Sequence, residues 1–150
     1  MKKVVIFGAN SDIAEKTAEL FAKKNSEIFL ISRNLSRLKI LSKDLEIKGA
    51  NKVYFYSEDL TNFTKHRHLS DLIFEKLKII DVIIFAQGHL PNQEECEQNF
   101  DAALNNYKIN SLSVISLIIL ILKKLENQSF GSIAVVTSVA GDRGRKSNFF

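Results

Sequence analysis

Apolar residues along this chain alternate between short continuous runs and longer stretches in which they recur every three or four positions. Val4-Val5-Ile6-Phe7 is such a run and predicts a strand over 3–7. A turn follows, and then Ile13, Thr17, Ala18, Leu20 and Phe21 keep a 3.6-residue period that predicts a helix over 12–24. Asp12 and Glu15 stand at capping-box spacing, which sets the helix start at the turn. The alternation repeats: strand 27–31, helix 35–48 ended by Gly49, strand 52–56, helix 62–76, and a continuous apolar strand 81–85. A loop over 88–98 carrying Pro91, a long helix over 101–126 and a strand over 132–137 complete the pattern. Strands separated by single helices close through right-handed crossovers into a parallel sheet covered on both faces, so the expected class is α/β, doubly wound. Between Val114 and Leu122 the long helix is apolar nearly all round and needs cover on two sides. The sheet is one; the other is a neighbouring helix or a partner subunit.

Composition narrows the class without choosing a function. A chain of 150 residues with 45% hydrophobic and 25% charged residues matches one ordinary globular domain with a real core. The net charge of +4 comes from scattered lysines, which favours small anions over nucleic acid, since the latter needs a localised basic face. A single cysteine, Cys96, excludes an internal disulfide framework and a multi-cysteine zinc site, and suits a reducing, cytoplasmic setting. The apolar segment after Met1-Lys2-Lys3 is too short for a signal-peptide core, and no stretch approaches the ~20 apolar residues of a membrane span. An integral membrane protein is therefore not expected.

Candidate chemistry clusters where predicted strands end. Gly8 lies in a strand-to-helix turn, and such a turn presents unpaired backbone N–H groups and a positive helix dipole to a phosphate. Taken alone it also fits any strand-to-helix turn, because only Gly8 of a three-glycine dinucleotide fingerprint is present, with Asp12 and Ala14 at the other two places. The second strand ends in Ile31-Ser32-Arg33-Asn34, without the carboxylate that holds an adenosine 2′-hydroxyl. Ser32 and Arg33 instead suit a 2′-phosphate, which favours NADP(H) with NAD(H) possible; a solvated arginine is the plain alternative. Glu58-Asp59-Leu60-Thr61 and Phe85-Ala86-Gln87-Gly88 follow the third and fourth strands, and Gly88 lets backbone approach a nucleotide.

The ordered set Gly8…Asp12-Ile13-Ala14, Asp59-Leu60, Ala86-Gln87-Gly88, Asn110 and Ser138 resembles the short-chain dehydrogenase/reductase family over essentially the whole chain. The segments Gln87-Gly88-His89-Leu90-Pro91 and 138–148 are similar to the branch that includes the decaprenylphosphoryl-ribose 2-keto reductases, which act on a keto-sugar carried on a polyprenyl phosphate. The resemblance implies a Rossmann-like fold and hydride transfer between nicotinamide C4 and a carbonyl or secondary alcohol. It implies that Gly8, Asn10, Ser11 and Ile13 line the pyrophosphate and adenosine ribose, that Asp59 accepts from the adenine amino group, and that Leu60 lies beside the ring. Ala86, Gln87 and Gly88 then run under the ribose toward the nicotinamide, Ser138 bonds the substrate carbonyl, and Asn110 anchors a water of the proton relay. Asp12 stands in a glycine place and reads as a helix cap, and Phe85-Ala86 replaces the usual asparagine pair.

The family's proton-donating tyrosine, with its lysine four residues on, is implied thirteen residues past Ser138, at position 151, whereas the sequence runs to Phe150. Phe149 and Phe150 carry no hydroxyl, and Tyr107 falls in the wrong element. The expectation is therefore an NAD(P)-binding domain over 1–150, truncated after the fifth strand, inactive by itself, with strand 132–137 left as an exposed apolar edge. A homo-oligomer of the full-length protein is expected through the helix around 101–126. The rivals are a catalytically dead nucleotide-binding or interaction protein, and a methyltransferase, although the latter usually has an acidic end to its second strand. His66 and His68 are two apart, do not face each other on a helix, and read as surface residues rather than a metal pair. His89, beside Gly88, reads as loop or substrate contact. Cys96 reads as a poor nucleophile in an acidic loop, and Phe55, Phe63, Phe74 and Phe100 as core.

Overall fold

The computed structural model describes residues 1–144. Five parallel strands, β1 (Lys3–Phe7), β2 (Glu27–Ser32), β3 (Lys52–Ser57), β4 (Val82–Phe85) and β5 (Ser132–Val135), form one sheet in the order β3-β2-β1-β4-β5. The helices are α1 (Asp12–Ala22), α2 (Leu35–Ile47), α3 (His66–Leu77), α4 (Gln93–Gln98), α5 (Phe100–Tyr107) and α6 (Ser113–Gln128). The order reverses between β1 and β4, which opens a crevice at the carboxyl ends of those strands. Alternating side chains of β1 serve opposite layers. Val5 and Phe7 pack with Leu69, Ile73 and Leu77 of α3 and Leu117 and Ile121 of α6. Val4 and Ile6 pack with Ala14 and Ala18 of α1 and Leu38 and Leu45 of α2. The sheet is thus covered on both faces, and the doubly wound, Rossmann-like α/β fold read from the sequence is the fold observed.

Several local readings change. The α1 cap is Ser11, whose side chain accepts from Ala14 N; Asp12 is the first helical residue and exposed, so it is not the cap. The buried stripe of α1 is Ala14, Ala18 and Ala22, while Ile13 and Leu20 are exposed. Three alanines let the helix lie close on the sheet and against α2, where larger residues would hold it off. The region expected as a loop over 88–98 contains α4, capped by Asn92, and Cys96 is buried in it. The long helix expected over 101–126 is two helices, joined by a π-helical turn over Lys108–Leu112. Of the phenylalanines expected in the core, Phe55 and Phe74 pack against it, whereas Phe63 and Phe100 are exposed. The fully buried large aromatics are Phe7, Phe29 and Phe85, with Phe7 and Phe85 stacked 4.6 Å apart across β1 and β4.

α6 buries Val114, Leu117, Ile121 and Leu125 and shows Ile115, Ile119 and Leu122 to solvent. Among the described residues, nothing covers that second side. Among the described residues β5 is one edge of the sheet, with Val135 and Val136 exposed. No helix among the described residues is long and apolar enough to cross a membrane. Arg145, Lys146, Ser147, Asn148, Phe149 and Phe150, part of the 138–148 resemblance and of the proton-donor argument, lie outside the described residues.

Candidate cofactor site

The turn after β1 starts the site. Ser11 N donates to Gly8 O, closing a tight turn, and Ala9 N donates to Ile31 O, which pins the turn to the end of β2. Gly8 has φ +73, and a Cβ there would lie 2.3 Å from Gln87 N. The glycine is required by the close passage of the β1 and β4 ends, in addition to any ligand. At the start of α1, Ser11 takes Glu15 N on its carbonyl and Ala14 N on its hydroxyl, leaving Asp12 and Ile13 N–H without an intrahelical acceptor.

A cavity of about 360 Å³ lies over these strand ends. It is lined by Gly8, Asn10 and Ser11 after β1, by Ser32 and Arg33 at the end of β2, by Asp59 and Leu60 after β3, and by Ala86, Gln87 and Gly88 after β4. Asn34, Arg37, Glu58, Thr61 and Ile109, not among the sequence candidates, complete the wall. Arg37 carried a legible signal: it is a second arginine close in sequence to Arg33, in the first turn of α2. Ile109 carried none, because the π-helical turn that brings it over the cavity was not visible. Four candidates fall outside the lining: Asp12, Ile13, Asn110 and Ser138.

The wall is braced from behind. Ser57 Oγ donates to Arg33 O at 2.9 Å, and Glu58 N donates to Ser32 O at 3.1 Å, so β3 fixes the end of β2. Arg37 Nη2 bonds Glu15 Oε1 at 2.6 Å, linking α2 to α1 across the rim. Asp59 Oδ1 accepts from Thr61 N at 2.9 Å and Thr61 Oγ1 at 2.8 Å. The Thr61 backbone N–H, with its hydroxyl and the nearby Arg33 charge, outweighs partial burial and holds the Asp59 carboxyl below its ordinary range. An ionised acceptor beside a cation thus marks the β2–β3 end of the cavity.

Two acceptors in the lining residues, Asn10 Oδ1 and Gln87 Oε1, are buried without a hydrogen-bond partner. Unpaired buried acceptors are costly unless a ligand's hydroxyl or amino groups meet them, so these residues fit a polyhydroxylated nucleotide.

Asn110 sits in the π-helical turn and clamps the segment after β4. Its Nδ2 donates to His89 O and its Oδ1 accepts from His89 N, both at 2.8 Å, and Nδ2 also donates to Asn106 Oδ1 at 2.8 Å. Ser138 lies past β5 and is exposed; its hydroxyl accepts from Ala140 N at 3.2 Å. His66, expected at the surface, is fully buried. Its place in the stripe His66, Leu69, Ile73, Leu77 was the signal available.

A family model described as short chain dehydrogenase matches residues 2–149. The chain belongs to the short-chain dehydrogenase/reductase family. It is 29% identical over 147 residues to an uncharacterized oxidoreductase of Listeria innocua, covering 93% of this chain and 56% of that protein. It is 27% identical over 146 residues to a hydroxysteroid 11-beta-dehydrogenase 1-like protein of Xenopus laevis, covering 95% and 49%. The chain thus spans about half the length of these curated relatives. Among solved structures, the fold resembles an actinorhodin polyketide ketoreductase with NADPH, at TM-score 0.90 and 19% identity, covering 98% of this chain and 57% of that one. It also resembles an NAD+-bound xylitol dehydrogenase at TM-score 0.88 and 21% identity, covering 98% and 56%. The family is one of oxidoreductases, and the two solved structures hold NADPH and NAD+ respectively.

Proposed function

We propose that residues 1–150 are the NAD(P)-binding part of an oxidoreductase that prefers NADP(H), with NAD(H) accepted more weakly. The observation that carries this reading is the end of β2, where Ser32 and Arg33 line the cavity and no carboxylate stands in the place that would hold a 2′-hydroxyl. In this reading Arg33 meets the 2′-phosphate, the free Oδ2 of Asp59 accepts from the adenine amino group, and Leu60 lies beside the ring. Gly8, Asn10 and Ser11, with the backbone N–H groups of Asp12 and Ile13, hold the pyrophosphate and ribose. Ala86, Gln87 and Gly88 carry the site toward the nicotinamide. The bound cofactor supplies a hydride acceptor or donor for a secondary alcohol or carbonyl. Ser138 orients that oxygen, and Asn110 holds the loop after β4 and a relay water.

None of Tyr54, Tyr56 and Tyr107 has a lysine four residues on, so residues 1–150 lack the family's proton-donating pair. On this reading the 150-residue chain binds cofactor without turning it over. The resemblance in 87–91 and 138–148 supports a keto-sugar on a polyprenyl phosphate as substrate, and the single cysteine, Cys96, suits a reducing, cytoplasmic setting. The uncovered side of α6, with Tyr107 and Leu112 beside it, supports a homo-oligomer across α5 and α6.

Titration of the chain with NADPH, NADH and S-adenosylmethionine tests the reading. NADPH is expected to bind most tightly. Binding of S-adenosylmethionine without either nicotinamide would assign the cavity to another chemistry, and equal affinities for NADPH and NADH would remove the 2′-phosphate role. Reduction of a keto-sugar by the full-length protein, absent from residues 1–150, tests the division of labour.

A further inference from the structure

His66, the first residue of α3, is buried to 0% exposure and joins three elements. Its Nε2 lies 2.9 Å from Leu60 O in the loop after β3, and its Nδ1 lies 2.9 Å from Ser116 Oγ in α6. A carbonyl only accepts, so Nε2 carries the hydrogen, and in the neutral ring Nδ1 accepts from the Ser116 hydroxyl. The Phe63 ring packs on it edge-on at 5.4 Å. Leu60 is itself part of the cavity wall. One imidazole therefore connects that wall to α6, the helix that packs beside α3 in the same layer.

We propose that His66 is a positioning residue for the cofactor: its imidazole ties Leu60 to α6, and cofactor affinity depends on that tie. The proposal rests on the cavity taking a nicotinamide dinucleotide by its adenosine end. The neutral ring satisfies both partners without placing a charge in the core. The groups around it do little to support a charge. The loop offers Glu58, while the Asp59 Oδ1 atom is committed to Thr61. α3 adds Arg67 and His68, and the nearest charged residues of α6, Lys123 and Lys124, start two turns beyond Ser116. Burial is the largest influence and pulls the imidazole below its ordinary pKa, against the Leu60 hydrogen bond and the Glu58 charge. A charged ring is relieved by opening the contact between α3 and the loop, and the open form lacks the Leu60 wall. Affinity therefore falls in acid.

The test measures NADPH and NADH dissociation constants for the full-length protein from pH 5 to 8, with His66→Gln, His66→Leu and Ser116→Ala beside the wild type. The glutamine retains a donor for Leu60 O and cannot gain a charge. It is expected to bind within about 2-fold of wild type at pH 7.5, and to lose less affinity in acid. His66→Leu is expected to bind about 3- to 10-fold more weakly at pH 7.5, the size of one net hydrogen bond, with the gap to wild type narrowing in acid. The 2′-phosphate of NADPH itself takes up a proton in this range, so the variant-to-wild-type ratio is read, with NADH as the arm that lacks this phosphate. Should the leucine variant fail to fold, Ser116→Ala removes the α6 end of the tie with little loss of volume, and weaker binding is again expected. Superimposed pH profiles of wild type and His66→Gln, or unchanged affinity in His66→Leu or Ser116→Ala, overturn the proposal while leaving the cofactor reading intact. Binding of neither nicotinamide by the wild type removes both.

Discussion

Replacing Arg33 with alanine is the most direct probe of what the cavity accepts. The side chain is exposed, and its backbone is fixed by the Ser57 hydroxyl at 2.9 Å, so the substitution removes a cation without disturbing the strand end. Asp59 and Glu58 line the same wall, and their negative charge then stands opposite an incoming phosphate with less compensation. A charge-assisted hydrogen bond is worth about 1.5–3 kcal/mol net, and solvent exposure places this one toward the lower end. At 1.36 kcal/mol per decade, NADPH affinity should fall by about 10- to 30-fold. NADH has no 2′-phosphate and should change by less than about 3-fold, the size of a screened surface charge. Isothermal titration at low and at physiological salt reads both numbers, and the salt dependence for NADPH should flatten in the variant. An equal loss for the two cofactors would refute the reasoning, because the arginine would then be supporting the fold or the common diphosphate. No loss for NADPH would make Arg33 a solvated residue.

Glu15→Gln weakens the 2.6 Å ion pair that holds Arg37 to α1, and the freed guanidinium is expected to tighten NADPH by about 2- to 3-fold with little change for NADH in the same titration. Gly8→Ala puts a methyl group 2.3 Å from Gln87 N at φ +73, and chemical denaturation should show a loss of about 2–5 kcal/mol. The acid side of the stability curve should report His66. Its folded pKa is depressed mainly by burial, so the unfolded chain takes up the proton first. Stability is then fully present above the unfolded value of about 6.5, declines as pH falls toward the folded value, and levels off below it; urea melts of His66→Gln should lack that component.

The alternation of apolar runs with helical periods was sufficient for the parallel sheet, because a strand buried on both faces must be continuously apolar and a crossover helix must be amphipathic. The strand ends that carry Gly8, Arg33, Asp59 and Gly88 were legible for the same reason: chain order and right-handed crossovers bring those ends to one edge. Three features were decided only by packing. The long apolar segment looked like one helix, but a π-helical turn at Lys108–Leu112 interrupts it and carries Asn110, which bonds a loop 21 residues away in sequence. Ser11 displaced Asp12 as cap because the turn places the Ser11 hydroxyl, and not the Asp12 carboxylate, within reach of Ala14 N. His66 reads as polar and therefore superficial, yet Leu60 O and Ser116 Oγ meet it inside the protein. A polar side chain is stable in a core when partners arrive from elsewhere in the chain, and a linear pattern holds no record of them. Local periodicity fixes which segments are strands and helices; the three-dimensional meeting of distant hydrogen-bonding groups decides which polar residues build the site.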